Sequence, residues 1–246
     1  MPFGLVGSAQ ASSLRDFHAW GTTGIKAGPA ARSSATPSPY FAGYEYENGG
    51  EALNVTTTIV VPKVTKCTKT KSAMYPSTSI ESVNGTSASG VYVGCSGGKA
   101  KYYPVLEING TRKAFKTMKV KPGDKVVLTT KETSSTVKAS LADKTNKKIK
   151  KTLSGTGTIE SGGPIVGVFA WPPNLEGSPT AALPVPKFKS IQFSNSKINS
   201  KAFGSSSYSS DLYQADLYNS SSTKEEIRST SFTDKGESFK AIFVAS

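Results

Sequence analysis

The chain has 246 residues, 36% of them hydrophobic, and 30 Lys+Arg against 17 Asp+Glu give it a formal net charge of +13. That is enough apolar chain for one sizeable core and too much for a disordered polymer, while no run approaches the roughly 18 to 20 apolar residues of a membrane-spanning helix. One histidine, His18, and two cysteines, Cys67 and Cys95, leave no ligand set for a two-histidine or four-cysteine zinc centre, and a Ser-His-Asp triad would have to use His18 in a poorly patterned stretch; no metal or cofactor is expected.

In chain order, the small apolar start Met1 to Ala11 ends in Ser8-Ala9-Gln10-Ala11, which resembles the cleavage end of a secretory signal peptide whose basic start is missing. Residues 12–38, rich in Gly, Pro and Ser, read as a flexible leader. The expected organisation is therefore a signal-peptide remnant and leader over 1–39, one domain over 40–246, and an exported protein.

Ser and Thr make up about a quarter of the chain, with 23 Gly and 14 Pro, a composition of strands and turns rather than helices. Twelve strands are predicted: Tyr40 to Glu47, Leu53 to Val61, Val91 to Gly94, Tyr102 to Asn109, Ala114 to Val120, Lys125 to Thr130, Thr136 to Asp143, Ile149 to Leu153, Pro164 to Trp171, Phe188 to Ser194, Asp211 to Tyr218 and Ser238 to Val244. Asn109-Gly110 is a hairpin signal and Lys121-Pro122-Gly123-Asp124 a turn. So many strands require two large stacked antiparallel sheets, an all-β sandwich. Cys67 and Cys95 flank what reads as a Ser/Thr-rich loop; one disulfide closing it is expected, two buried thiols being the alternative.

The charge is concentrated. Lys63 to Lys151 carries 19 basic and 5 acidic residues, while the flanking regions nearly cancel. A face for anionic polymers is one reading. Lysines guarding strand surfaces and edges are the other, and it is favoured because 18 of the 19 basic residues are Lys, whereas Arg is the better phosphate and base reader. No motif for specific nucleic-acid binding accompanies the charge.

A series of short pieces then carries a resemblance: Ala42-Gly43-Tyr44, Thr57 to Pro62 with Cys67, Cys95-Ser96-Gly97-Gly98, Tyr102 to Glu107, Val120 to Asp124, Pro186-Lys187-Phe188, Ile191 to Asn195, Asp216 to Asn219 and Ser238 to Ala241. In this order, over residues 40–246, they resemble the eqolisins, the acid-acting glutamic peptidases, and particularly their bacterial members. The resemblance implies a secreted sandwich of concanavalin-like architecture and a Gln/Glu dyad on the concave sheet, in which the carboxylate activates water and the amide steadies the oxyanion.

Aligned on those pieces, the Gln falls on Tyr92 or Val93 and the Glu on Gly167, so both members are replaced. Glu107 matches a family carboxylate. The sequence thus points to a non-catalytic, monomeric family member whose sheet binds an extended peptide or a polysaccharide, with Tyr92, Tyr102 or Tyr103, Glu107, Phe169 and Trp171 lining the groove. The alternatives are an acid hydrolase with a relocated site at Glu107, helped by Glu81 or Glu160, and a salt-sensitive binder of anionic polymers through Lys63 to Lys151.

Overall fold

The structure, a computed structural model, describes residues 35–38, 40–47, 52–82, 84–157, 163–170, 183–208, 210–219 and 224–244. Trp171, Glu160, His18 and the signal-like start lie outside these residues. Within them the chain forms strands and one short 3-10 turn at Asp234–Gly236, with no α-helix.

The strands are β1 (Thr36–Ser38), β2 (Phe41–Tyr46), β3 (Ala52–Val60), β4 (Val64–Lys66), β5 (Ser72–Ser82), β6 (Gly85–Ser96), β7 (Lys99–Ile108), β8 (Thr111–Ala114), β9 (Lys125–Thr133), β10 (Val137–Asp143), β11 (Lys150–Gly155), β12 (Pro164–Ala170), β13 (Lys187–Phe188), β14 (Ser190–Ile198), β15 (Lys201–Ala202), β16 (Leu212–Tyr218), β17 (Glu225–Ser229) and β18 (Phe239–Phe243). Apart from the small β4–β13 pair they form one hydrogen-bonded sheet in the order β11-β10-β9-β3-β14-β18-β17-β16-β2-β12-β5-β6-β7-β8, with β1 added beside β16 and β15 beside β14. The expected sandwich is present, but its two layers are one sheet doubled over.

The layers stack because alternate residues of both turn inward. Tyr44, Val166, Val168, Val91, Val93 and Leu106 of one layer share a core with Ile59, Val126, Leu128, Leu141 and Phe193 of the other. Polar bonds cross between the layers as well: the Thr78 and Thr130 hydroxyls lie 3.0 Å apart, and Ser89 Oγ donates to the Ser140 carbonyl at 2.6 Å. At the turnover, β16 and β17 share only the pairs Leu217–Ile227 and Tyr218–Glu225. Side chains replace the missing ladder there, with Gln214 donating to Ser229 O and Oγ (2.9 and 3.0 Å) and Ser229 N and Oγ donating to Asp216 Oδ1 (2.6 and 2.9 Å).

Several expectations are met in detail. Asn109 (φ 49°) and Gly110 (φ 75°) form the two-residue turn between β7 and β8, the left-handed pair that an Asn-Gly hairpin supplies. Cys67 and Cys95 form a disulfide, with their Cα atoms 5.5 Å apart.

Other expectations are corrected. The segment between the cysteines is not a loop but the long hairpin β5–β6, and β5 is central, paired with β12 on one side and β6 on the other. Ala114 to Val120 is not a strand: β8 ends at Ala114 and Met118 N bonds Phe115 O in a turn. Thr36–Ser38, expected in the leader, pairs parallel with β16.

Candidate binding groove

Strands β2, β12, β5, β6, β7 and β8 lie side by side, and their registers place residues in rows on the face turned away from the second layer. The first row is aromatic. Phe41 faces Phe169, Phe169 faces Tyr75, and Tyr92 faces Tyr103; the pairs Met74–Val93 and Ser77–Gly90 on either side set Tyr75 opposite Tyr92. The second row is small: Gly43, Gly167, Ser77, Gly90 and Val105. The third is Glu45, Ile165, Ser79, Ala88, Glu107 and Arg112. Small buried residues between a row of half-buried rings and a row bearing carboxyls make a trough, with its own apolar cluster of Tyr75, Ala88 and Val105 flanked by Tyr92, Tyr103 and Phe169.

The rings stand on edge. Tyr92 and Tyr103 have centroids 4.4 Å apart and planes within 8°, which only face-to-face packing allows, and Phe41 and Phe169 stack at 5.5 Å. The Tyr75 ring lies across Gly90, where a Cβ would meet it at 2.5 Å, and its hydroxyl donates to Val105 O at 3.0 Å. Burial pushes the phenols up; with Tyr92 beside it, Tyr103 is raised to about 12.

Glu107 is 3% exposed and is held by Arg112, whose Nε and Nη2 donate to the same oxygen, Oε2, at 2.8 and 2.7 Å. The guanidinium carbon of Arg112 lies 5.4 Å from the Tyr75 ring centroid. Burial outweighs Arg112 and leaves the Glu107 pKa above the ordinary carboxylate value. Along the row, on the adjacent strand β6, Glu107 faces Ala88. The Asn109 amide two residues on is engaged elsewhere, donating to Thr156 O and accepting from Ser87 Oγ. The hydroxyls of Ser77 and Ser79, both buried in the floor, have no hydrogen-bond partner among the described residues.

The expected groove residues Tyr92, Tyr103, Glu107 and Phe169 are thus brought onto one face. Tyr102 points the other way, its hydroxyl accepting from Val64 N at 3.0 Å. Of the two places aligned with the Gln, Tyr92 is in the trough and Val93 is in the core between the layers. Gly167 lies on the trough face, but a Cβ there would meet the Ala42 carbonyl at 2.5 Å, so the position has no room for a carboxylate. Glu81 is also on this face, one row beyond Ser79. The sequence reading missed Phe41, Glu45, Tyr75, Ser77, Ser79 and Arg112.

Residues 39–240 match the model of the peptidase A4 family. The chain belongs to the peptidase A4, or eqolisin, family. Its fold is similar to that of scytalido-glutamic peptidase bound to a peptide-based transition-state analogue (TM-score 0.66, 14% identity, covering 84% of this chain and 99% of that one). It is also similar to SCP-B, an eqolisin in complex with the tripeptide Ala-Ile-His (TM-score 0.65, 14% identity, with the same coverage). At this identity the likeness to the two eqolisins is one of fold. No curated protein sequence matches the chain.

Proposed function

We propose that this eqolisin-family chain is an exported protein that holds an extended peptide in the trough without hydrolysing it. The observation that carries the proposal is the setting of Glu107, tied through Oε2 to Arg112 and faced by Ala88, with Ser79 and Ile165 next in the row. A general base needs a partner on the same water. Here the neighbouring cation is itself bound to the carboxylate, and Ala88, Ser79 and Ile165, the next side chains of the row, carry neither an amide nor a second acid, Glu45 standing at the row's other end.

A peptide suits the trough better than a sugar chain. Ring faces are what a sugar packs against, and the faces of Tyr92, Tyr103, Phe41 and Phe169 are turned toward one another. The ring edges, the small floor and the unpartnered hydroxyls of Ser77 and Ser79 instead offer a narrow apolar channel with polar points along it. The peptide ligands of the two similar eqolisins favour the same reading. Export agrees with the disulfide and with the absence, among the described residues, of a helix long and apolar enough to cross a membrane.

The test is incubation of the purified chain with unfolded protein from pH 2 to 7, followed by mass spectrometry for new termini, and retention of a decapeptide library by ultrafiltration. No new termini, retained peptides and retention at least about fivefold weaker in Phe169→Ala are the expected results. Cleavage that disappears in Glu107→Gln would overturn the proposal.

A further inference from the structure

The outer face of the second layer, on the opposite side of the molecule from the trough, is built by β3, β9, β10 and β11. Alternate residues of these strands enter the core and the rest face outward. The only carboxyls in the four strands, Glu132 and Asp143, stand at inward positions and are 2% and 3% exposed. Lysines and hydroxyls dominate the outward positions, and none carries an arginine or an aromatic ring.

The registers set these groups in rows. Thr152 faces Ser140, Ser140 faces Thr129 and Thr129 faces Thr56, giving one hydroxyl per strand at steps of about 4.8 Å. Two residues along the strands, about 7 Å from this row, Lys138 stands directly opposite Lys131. At the same separation on the other side comes the row of Lys150, Ala142, Val127 and Thr58, with Lys125 beyond it on β9. Lysines thus flank the hydroxyl row on both sides. Toward β14 the row meets Lys197, bound to Glu237 at 3.1 Å, and the purely cationic stretch ends there.

Edge protection does not account for Lys131 and Lys138. Their strands are interior: β9 pairs with β10 and β3, and β10 pairs with β9 and β11. Like charges directly opposite each other weaken strand pairing. Both lysines are exposed, and neither is paired with a carboxyl among the described residues. An anion supplied from outside the chain relieves that repulsion.

We infer that this face binds a linear anionic polysaccharide of the polyuronate class. Its chain follows the hydroxyl row, and its carboxylates meet Lys131 and Lys138 on one side and Lys150 on the other. The row offers one hydroxyl per strand, a spacing near that of successive sugars in an extended chain, and each hydroxyl can both donate to and accept from a sugar hydroxyl. Nucleic acid fits the face less well, since there is no ring on which a base can stack and no arginine to grip phosphate in two bonds. This surface is separate from the trough and does not depend on what the trough holds.

The test is fluorescence anisotropy with labelled decagalacturonate at low salt. The acid is expected to bind with an affinity that falls steeply as salt is added, and its methyl ester of the same length is expected not to bind. Lys131→Thr/Lys138→Thr is expected to weaken binding about tenfold. Ser140→Tyr, which keeps every lysine and obstructs the hydroxyl row, is expected to weaken it at least about fivefold. Lys69→Thr/Lys71→Thr removes the same charge from exposed positions outside the face and is expected to stay within about twofold. Equal weakening by the two lysine pairs would mean that the probe senses net charge alone, and it overturns the proposal. So does an absence of binding, or an ester that binds as tightly as the acid. Single-stranded DNA of equal charge bound at least as tightly as the uronate overturns it as well, in favour of a nucleic-acid surface.

Discussion

At the scale of single residues, the trough is governed by how its buried charges are partnered. Arg112 and Glu107 have side chains 14% and 4% exposed, so removing one strands the other in a poorly solvated place. Arg112→Met is expected to cost about 3 to 5 kcal/mol in urea unfolding at pH 7, and the double variant Glu107→Leu/Arg112→Met to recover most of it. The sign with pH follows from the raised Glu107 pKa. Stranded without Arg112, the carboxyl is raised further; its penalty grows as pH climbs through the unfolded-state value of Glu, levels off above the folded-state value and fades in acid, where both states are protonated. A penalty that grew on acidification would contradict this account. The pair was legible in principle, because the Asn109-Gly110 turn fixes Ile108 against Thr111 and hence Glu107 against Arg112. A carboxylate set merely among many lysines is what remains when that register is not followed through.

At the scale of elements, the informative case is β5. Its sequence, SAMYPSTSIES, reads as a loop because Pro76 removes a ladder donor and hydroxyls hold most alternate places. It is nonetheless a central strand, since Thr78 bonds Thr130 across the core and the other face forms the trough floor. Local propensity is overridden by two flanking strands, which no single segment displays. Tyr75, Ser77 and Ser79 were hidden for this reason, whereas the strands with plain alternation, β3, β9, β10 and β14, were visible. The hairpin is stapled at its open end by Cys67–Cys95, 28 residues apart. Replacing both with Ser is expected to cost about 3 to 4 kcal/mol on the chain-entropy account. Amide exchange should quicken first in β4 and β13, which adjoin Cys67, and last in the β3–β9 centre. Uniform quickening would mean that the bridge stabilises the whole fold rather than this corner.

For the molecule as a whole, the doubled sheet ends, among the described residues, at β8 and β11, and the fold brings these two strands to one side. The Phe115 ring lies between them, with Lys113 Nζ 5.7 Å and Lys151 Nζ 5.5 Å from its centre. Lys150 is exposed on the same edge strand. Three of the 18 lysines in the Lys63 to Lys151 segment thus fringe these two edge strands, where charge opposes strand addition by another chain. Lys113→Thr/Lys150→Thr/Lys151→Thr is expected to give a larger mass by light scattering than the parent at the same concentration; an unchanged mass would return the lysines to the anionic-polymer reading, whose mark is retention on a sulfated resin that falls steeply with salt.

The stacked phenols at one side of the trough have a spectroscopic consequence. Tyr92 and Tyr103, 4.4 Å apart and nearly parallel, are two chromophores in fixed coupling, and both tryptophans of the chain lie outside the described residues. A ligand sliding along the ring edges must disturb that coupling, so near-ultraviolet circular dichroism reports occupancy from within the molecule, with no label attached.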